Sequence, residues 1–94
     1  MKKSEYLIVT AKGTDLVKGV VSTNLGIHKD ENIYSITHLN TGFRVTYTYK
    51  LKHARIIVKA LESSTIPWSL IGINNSKKYE SDVFKIIREV EITF

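Results

Sequence analysis

The sequence contains no cysteine, which excludes disulfide scaffolds, thiolate zinc sites and cysteine nucleophiles together and fits a reducing compartment. It has one proline, Pro67, and five glycines, so no Pro- or Gly-rich linker divides it. Long apolar runs are missing too. After the charged start Met1-Lys2-Lys3-Ser4-Glu5, the apolar-leaning stretch extends only from Tyr6 to Thr10. A signal peptide needs more, and nothing approaches the roughly 18 residues of a membrane span. The expectation is a soluble cytoplasmic protein with no membrane partner.

The 94 residues suffice for a single domain, 1–94, and are too few for a two-domain enzyme. With 43% hydrophobic and 24% charged residues, the composition is that of a folding chain rather than a disordered one. A domain of this size buries a modest share of its surface, so a homo-oligomer is expected. Catalytic signatures are absent as well: there is no GxSxG, no Walker-type GxxxxGK[ST] and no HExxH. The chain is therefore read as non-enzymatic, with no cofactor and no metal site.

What is present is an uneven distribution of charge. Residues 1–31 carry five lysines against four acids, a net of +1, and residues 62–94 carry four cations against five acids, a net of −1. Residues 32–61 hold Arg44, Lys50, Lys52, Arg55 and Lys59 and no acid, so the middle third alone supplies the whole +5. Concentrated positive charge attracts polyanions, and each cation that neutralises a phosphate releases a counterion.

The periodicity predicts an α+β fold: a four-stranded antiparallel meander followed by a helix packed on one face, with a C-terminal helix or strand segment. Tyr6 to Ala11 reads as the first strand, ending at Lys12-Gly13-Thr14-Asp15. Leu16 to Thr23 reads as the second, interrupted by Gly19 and bent at Asn24-Leu25-Gly26 before Ile27 and His28 continue it. Ile33 to Leu39 and Phe43 to Tyr49 flank the turn Asn40-Thr41-Gly42. In the fourth strand Phe43, Val45, Tyr47 and Tyr49 alternate with Arg44, Thr46, Thr48 and Lys50. Two readings follow: Phe43, Tyr47 and Tyr49 pack toward the helix and the polar set faces a ligand, or Tyr34, Tyr47 and Tyr49 are exposed near Arg44 and Lys50 as a stacking surface for the bases of a single strand.

From Leu51 to Glu62 the period becomes helical. Leu51, Ala54, Ile57, Val58 and Leu61 fall within about 120° and face the sheet, while Lys52, Arg55 and Lys59 form a ridge within about 60° beside them. Ser63-Ser64-Thr65 and Pro67 end that helix. Ser81 is positioned to cap a second helix carrying Val83, Ile86, Ile87 and Val90. For Glu91-Ile92-Thr93-Phe94, a frayed helix end and a short strand are both open.

If the second and third strands pair around Asp30-Glu31, His28 faces Tyr34 and His38 faces Asn24, with both histidines on one face. At Thr37-His38-Leu39-Asn40-Thr41-Gly42 the chain resembles small uncharacterised proteins of Gram-positive phages and mobile elements, which carry a T-H-x-x-T-G hairpin. The likeness spans about residues 26–61 and includes Gly26-Ile27-His28-Lys29 and Ala54. It implies a small protein made in the host cytoplasm and carries over no catalytic residue. Read physically, Gly42 permits the turn and Thr41 bonds within it, pinning the hairpin; a sharper alternative has His38 and Thr41 as ligand donors beside Arg44.

Three functions follow as expectations. The first is binding of an anionic partner, foremost nucleic acid, DNA or RNA, through Arg44, Lys50, Lys52, Arg55 and Lys59 with His38 and Thr41 at the hairpin mouth. The second is an anti-defence protein that inhibits a host protein or captures a signalling nucleotide. The third is a small hydrolase or nuclease using His38.

Overall fold

A computed structural model describes residues 1–94. The chain forms β1 (Lys2–Thr10), β2 (Gly13–Val21), β3 (Leu25–Asp30), β4 (Ile33–His38), β5 (Arg44–Thr48), α1 (Leu51–Glu62) and α2 (Glu80–Glu91), with 3-10 turns at Trp68–Leu70 and Ser76–Tyr79. The strands make one antiparallel sheet in the order β1-β2-β3-β4-β5. No helix is long and apolar enough to cross a membrane.

Helix α1 occupies the predicted span and packs where its apolar stripe directs it. Ala54, Ile57, Val58 and Leu61 are buried against Leu25, Ile27 and Ile36 of the sheet. Full burial of one such aliphatic side chain contributes about 1.5–3 kcal/mol, so this contact is the main stabilising layer. Trp68 seals one end of the core, its indole Nε1 donating to the Leu61 carbonyl at 3.0 Å. Val83 and Ile87 bury α2 against the same core.

The sheet has five strands rather than four, because the chain reverses at Ser22-Thr23-Asn24 where a bent single strand was expected. The cause lies outside the strand. The Glu62 carboxylate at the end of α1 accepts from the Ser22 hydroxyl, the Asn24 backbone nitrogen (2.7 Å) and the Asn24 side-chain amide (2.8 Å). A charged acceptor satisfies the polar groups of that tight turn.

The β3–β4 register also differs by one residue from the expected one. Lys29 pairs with Tyr34, His28 with Ser35 and Leu25 with His38, which places the two histidines on opposite faces. The difference arises because the turn uses two residues, Glu31 and Asn32, with Glu31 at a φ of 54°, so Asp30 pairs directly with Ile33.

A bulge opposite Ile36 and Thr37 leaves Arg44 and Val45 on their expected faces but breaks the expected alternation of β5 beyond them: Thr37 pairs with Arg44, yet Ile36 pairs with Thr46. Val45 is the extra residue. Past it the parity is inverted. Thr46 and Thr48 lie opposite Ile36 and Tyr34 on the helix side, while Tyr47 lies opposite Ser35 on the other face and is 46% exposed. Tyr49 is exposed as well, beyond the end of the strand.

The first hairpin curls over the face of the sheet opposite α1. Gly26 leaves room for the Tyr6 ring, which would stand 2.7 Å from a Cβ at that position. At the hairpin's far end the Val9 nitrogen donates to the Gly42 carbonyl at 2.8 Å, and Gly42 adopts a φ of 76° that L side chains avoid. At the C-terminus α2 ends in a turn rather than a strand, and the Phe94 ring stacks on His53 with centroids 3.9 Å apart. Helix α2 begins at Glu80 with no side-chain cap, so Ser81 lies within its first turn, where Glu80 and Asp82 complement the helix dipole.

Candidate functional site

The middle-third cations fall into two groups. Lys52, Arg55 and Lys59 recur at three and four residues along α1 and all lie on its exposed side, with Lys50 exposed just before the helix begins. None of the four has a carboxylate within 4 Å, because the molecule's single ion pair involves Arg44. Arg55 and Lys59 also line a cleft of about 450 Å³ with Met1, Ser22, Val58 and Glu62. Burial alone would raise the Glu62 pKa, but the hydrogen bonds from Ser22, Asn24 and the Leu25 backbone outweigh it and hold the carboxyl below its usual range. Glu62 therefore contributes one negative charge at the end of an otherwise cationic ridge.

Arg44 does not join that ridge. Its position before the bulge directs it to the opposite face of the sheet, where Nε donates to the Ser35 hydroxyl at 3.0 Å and the guanidinium lies 3.6 Å from Asp30. The cation also sits over the Tyr47 ring, 5.7 Å from its centroid. Both partners of the ion pair are about half exposed, so it contributes about 1 kcal/mol at most.

His38 and Thr41 are buried, 3% and 7% exposed. The Trp68 carbonyl can only accept, so His38 Nε2 donates to it at 2.9 Å; in the neutral ring Nδ1 then accepts from the Thr41 hydroxyl at 3.0 Å. Thr41 Oγ1 in turn accepts from the Phe43 nitrogen. Burial depresses the His38 pKa, against the opposing effects of the Trp68 carbonyl and Glu62. Every side-chain polar atom of the pair is engaged within the protein. This geometry supports the pinning role and leaves neither side chain a free donor.

Next to them lies a cavity of about 460 Å³, walled largely by Phe43, Val45, Trp68, Tyr79 and Phe84 and edged by Lys77 and Glu80. His38, Thr41 and Arg44 contribute to its lining, so the structure does gather these three predicted residues at one site, the mouth of the β4–β5 hairpin.

Behind the sheet is a polar cluster that the sequence reading did not assemble. The Tyr6 hydroxyl lies 3.3 Å from His28 Nδ1 and interacts with Thr37. Burial pushes the Tyr6 pKa up to about 12. Burial also lowers that of His28, an effect reinforced by Arg44 and opposed by Asp30. The available signal was the alternation itself. Gly26 and His28 on β3, and Ser35 and Thr37 on β4, are the small or polar positions between Leu25, Ile27 and Ile36, which marks a second, polar face on both strands. No three His, Asp or Glu side chains converge closely enough to hold a metal ion. Comparison with known proteins finds no matching family model, no matching curated protein and no matching solved structure.

Proposed function

We propose that the protein is a non-enzymatic accessory protein that binds an anionic partner, foremost nucleic acid, through the α1 ridge of Lys50, Lys52, Arg55 and Lys59. One observation carries the reading: these cations share an exposed helical surface with no ion-pair partner. Unpaired cations on a rigid helix contribute a sequence-independent, salt-sensitive attraction for phosphates. Arg44 is outside this surface. The T-H-x-x-T-G resemblance supports a phage or mobile-element origin for such a protein.

The test is a titration of single- and double-stranded oligonucleotides by fluorescence anisotropy over a range of salt. In the Lys52→Glu/Arg55→Glu/Lys59→Glu variant, affinity falls for every sequence and the salt slope becomes shallower by about three. Binding that ignores salt, or that survives this substitution, would overturn the reading.

The cavity at the hairpin mouth favours a second function, capture of a nucleotide as part of an anti-defence role. Its aromatic walls offer stacking surfaces for a base, and Lys77 supplies a cation at the edge. Native mass spectrometry of the purified protein separates the two. A nuclease-sensitive polymer belongs to the ridge, and a stoichiometric small anion that survives nuclease belongs to the cavity. A host protein retained after nuclease treatment points instead to inhibition of that protein.

A further inference from the structure

The outer edge of β1 is a sheet edge with most of its hydrogen-bonding groups unused. In the β1–β2 ladder Thr10 pairs with Gly13 across the two-residue loop Ala11-Lys12, and the register runs without a shift to Lys2 and Val21. The Val9 nitrogen points away from β2, since it donates to Gly42. By the alternation of an antiparallel ladder, the N–H and C=O groups of Lys3, Glu5 and Leu7 face the same outer side. The β4–β5 turn covers that edge at Val9 and approaches the Leu7 carbonyl. Toward the N-terminus, at Lys3 and Glu5, no strand lies against it. An uncovered strand edge is a template for another strand.

We propose that this edge pairs with the same edge of a second copy, antiparallel and centred on Ser4, to form a two-fold symmetric dimer with one continuous sheet. The register follows from charge and parity. Only odd residues present their backbone outward, so odd residues must oppose odd ones. Centring on Lys3 sets lysine against lysine, and centring on Glu5 sets glutamate against glutamate. Centring on Ser4 sets Lys3 against Glu5 of the second copy, and the reverse, so both charge pairs are attractive. The same register brings Met1 opposite Leu7, and these side chains are 56% and 57% exposed in the single chain. Leu16, the intrachain partner of Leu7 and itself 56% exposed, extends that apolar strip. Pairing ends at Leu7, just where the Gly42 turn takes over the edge. A shift that carried it further would meet the occupied Val9.

The backbone bonds are then specified. Lys3 and Glu5 of one copy exchange N–H and C=O bonds with Glu5 and Lys3 of the other, and the Leu7 N–H donates to the Met1 carbonyl across the axis. The two-fold axis stands perpendicular to the sheet, so both α1 helices lie on one side of it. Lys3 is paired with Val20, which packs on the helix-side core, and the two Lys3–Glu5 pairs therefore also lie on the helix side.

Analytical ultracentrifugation of the full chain tests the register with two charge reversals that bury nothing. Lys3→Glu and Glu5→Lys each place like charges opposite one another at both contacts, and each weakens self-association about tenfold or more. An equimolar mixture of the two variants regains dimers as a heterodimer, because the two acidic side chains of the first variant then meet the two lysines of the second. Circular dichroism confirms that both variants stay folded; should either unfold, the double variant Lys3→Glu/Glu5→Lys carries the test and dimerises like the parent. A parent protein that stays monomeric at concentrations up to about 1 mM, single variants that dimerise as well as the parent, or a mixture that fails to form heterodimers would each overturn the proposal. The outcome is independent of nucleic-acid binding, which is scored separately by anisotropy.

Discussion

Glu62 closes a turn 38 residues away, its carboxylate accepting from Asn24 twice, at the backbone nitrogen and at the side-chain amide. One side chain thereby ties the end of α1 to the reversal between β2 and β3. Removing it leaves the Asn24 N–H and the Ser22 hydroxyl without their shared acceptor. A hydrogen bond to a charged group contributes about 1.5–3 kcal/mol. Glu62→Ala therefore lowers the unfolding free energy by about 2–3 kcal/mol in urea titration, and Glu62→Gln, which keeps one acceptor oxygen, by less.

Stability follows pH in a direction set by the buried groups. His28 and His38 have folded pKa values below the ordinary 6.5, so the unfolded chain binds protons that the folded one refuses. Their contribution is complete above about pH 6.5 and is lost as pH falls below it. Glu62, depressed below its ordinary 4.5, adds a second loss at lower pH. At the alkaline end Tyr6 stays protonated in the fold up to about pH 12 while the unfolded phenol ionises near 10, so stability declines between those values. Urea midpoints measured across this range give a plateau between about pH 6.5 and 10, and His28→Gln shortens the upper part of the acid limb.

Two glycines give opposite outcomes on replacement by alanine. A Cβ on Gly19 would collide with the Ile27 carbonyl oxygen, a backbone atom that cannot move without breaking the β2–β3 pairing. Gly72 has no atom within 4 Å of its Cβ position and an ordinary φ. Gly19→Ala costs about 3 kcal/mol or more, or prevents folding. Gly72→Ala stays within about 0.5 kcal/mol of the parent or improves on it. Thermal melts of the two variants check the contrast.

Arg44 separates stability from binding. Arg44→Ala removes the donor to the Ser35 hydroxyl and a half-exposed ion pair, a loss of about 1 kcal/mol. Its distance from the α1 ridge predicts a nearly unchanged oligonucleotide affinity at about 0.15 M salt and above, where charges that far apart are screened. Anisotropy beside a denaturation curve reads both.

Local patterns identified the elements and long-range contacts decided their arrangement. Helix α1 was legible from Leu51 to Glu62 because the apolar spacing of Ala54, Ile57, Val58 and Leu61 is a property of that segment alone. The hairpin at Gly42 was legible for the same reason. The separation of β2 from β3 was not, since the acceptor that holds the turn arrives from the end of α1. Nor were the faces of β5, because the extra residue Val45 shows only against the pairing of Ile36 and Thr37. That single insertion turns Thr46 and Thr48 to the helix side and exposes Tyr47. The ridge residues Lys52, Arg55 and Lys59 were readable from helical spacing, whereas the Tyr6–His28–Thr37 cluster required knowing that the first hairpin folds back.

That fold-back has a mechanical consequence. Strands β2 and β3 share only the pairs Val20–Ile27 and Val21–Gly26, and the far end of the hairpin is fastened by the Val9 bond to Gly42. The first twenty residues thus act as a hinged flap, fastened at its tip by that clasp and at its middle by Tyr6, whose ring lies on Gly26 and whose hydroxyl meets His28. When the clasp opens, water reaches Tyr6, His28 and Thr37 while the oily layer beneath α1 stays dry. In native-state hydrogen exchange the Val9 amide gives up its proton well before that of Ile36, so the two sides of one sheet keep different time.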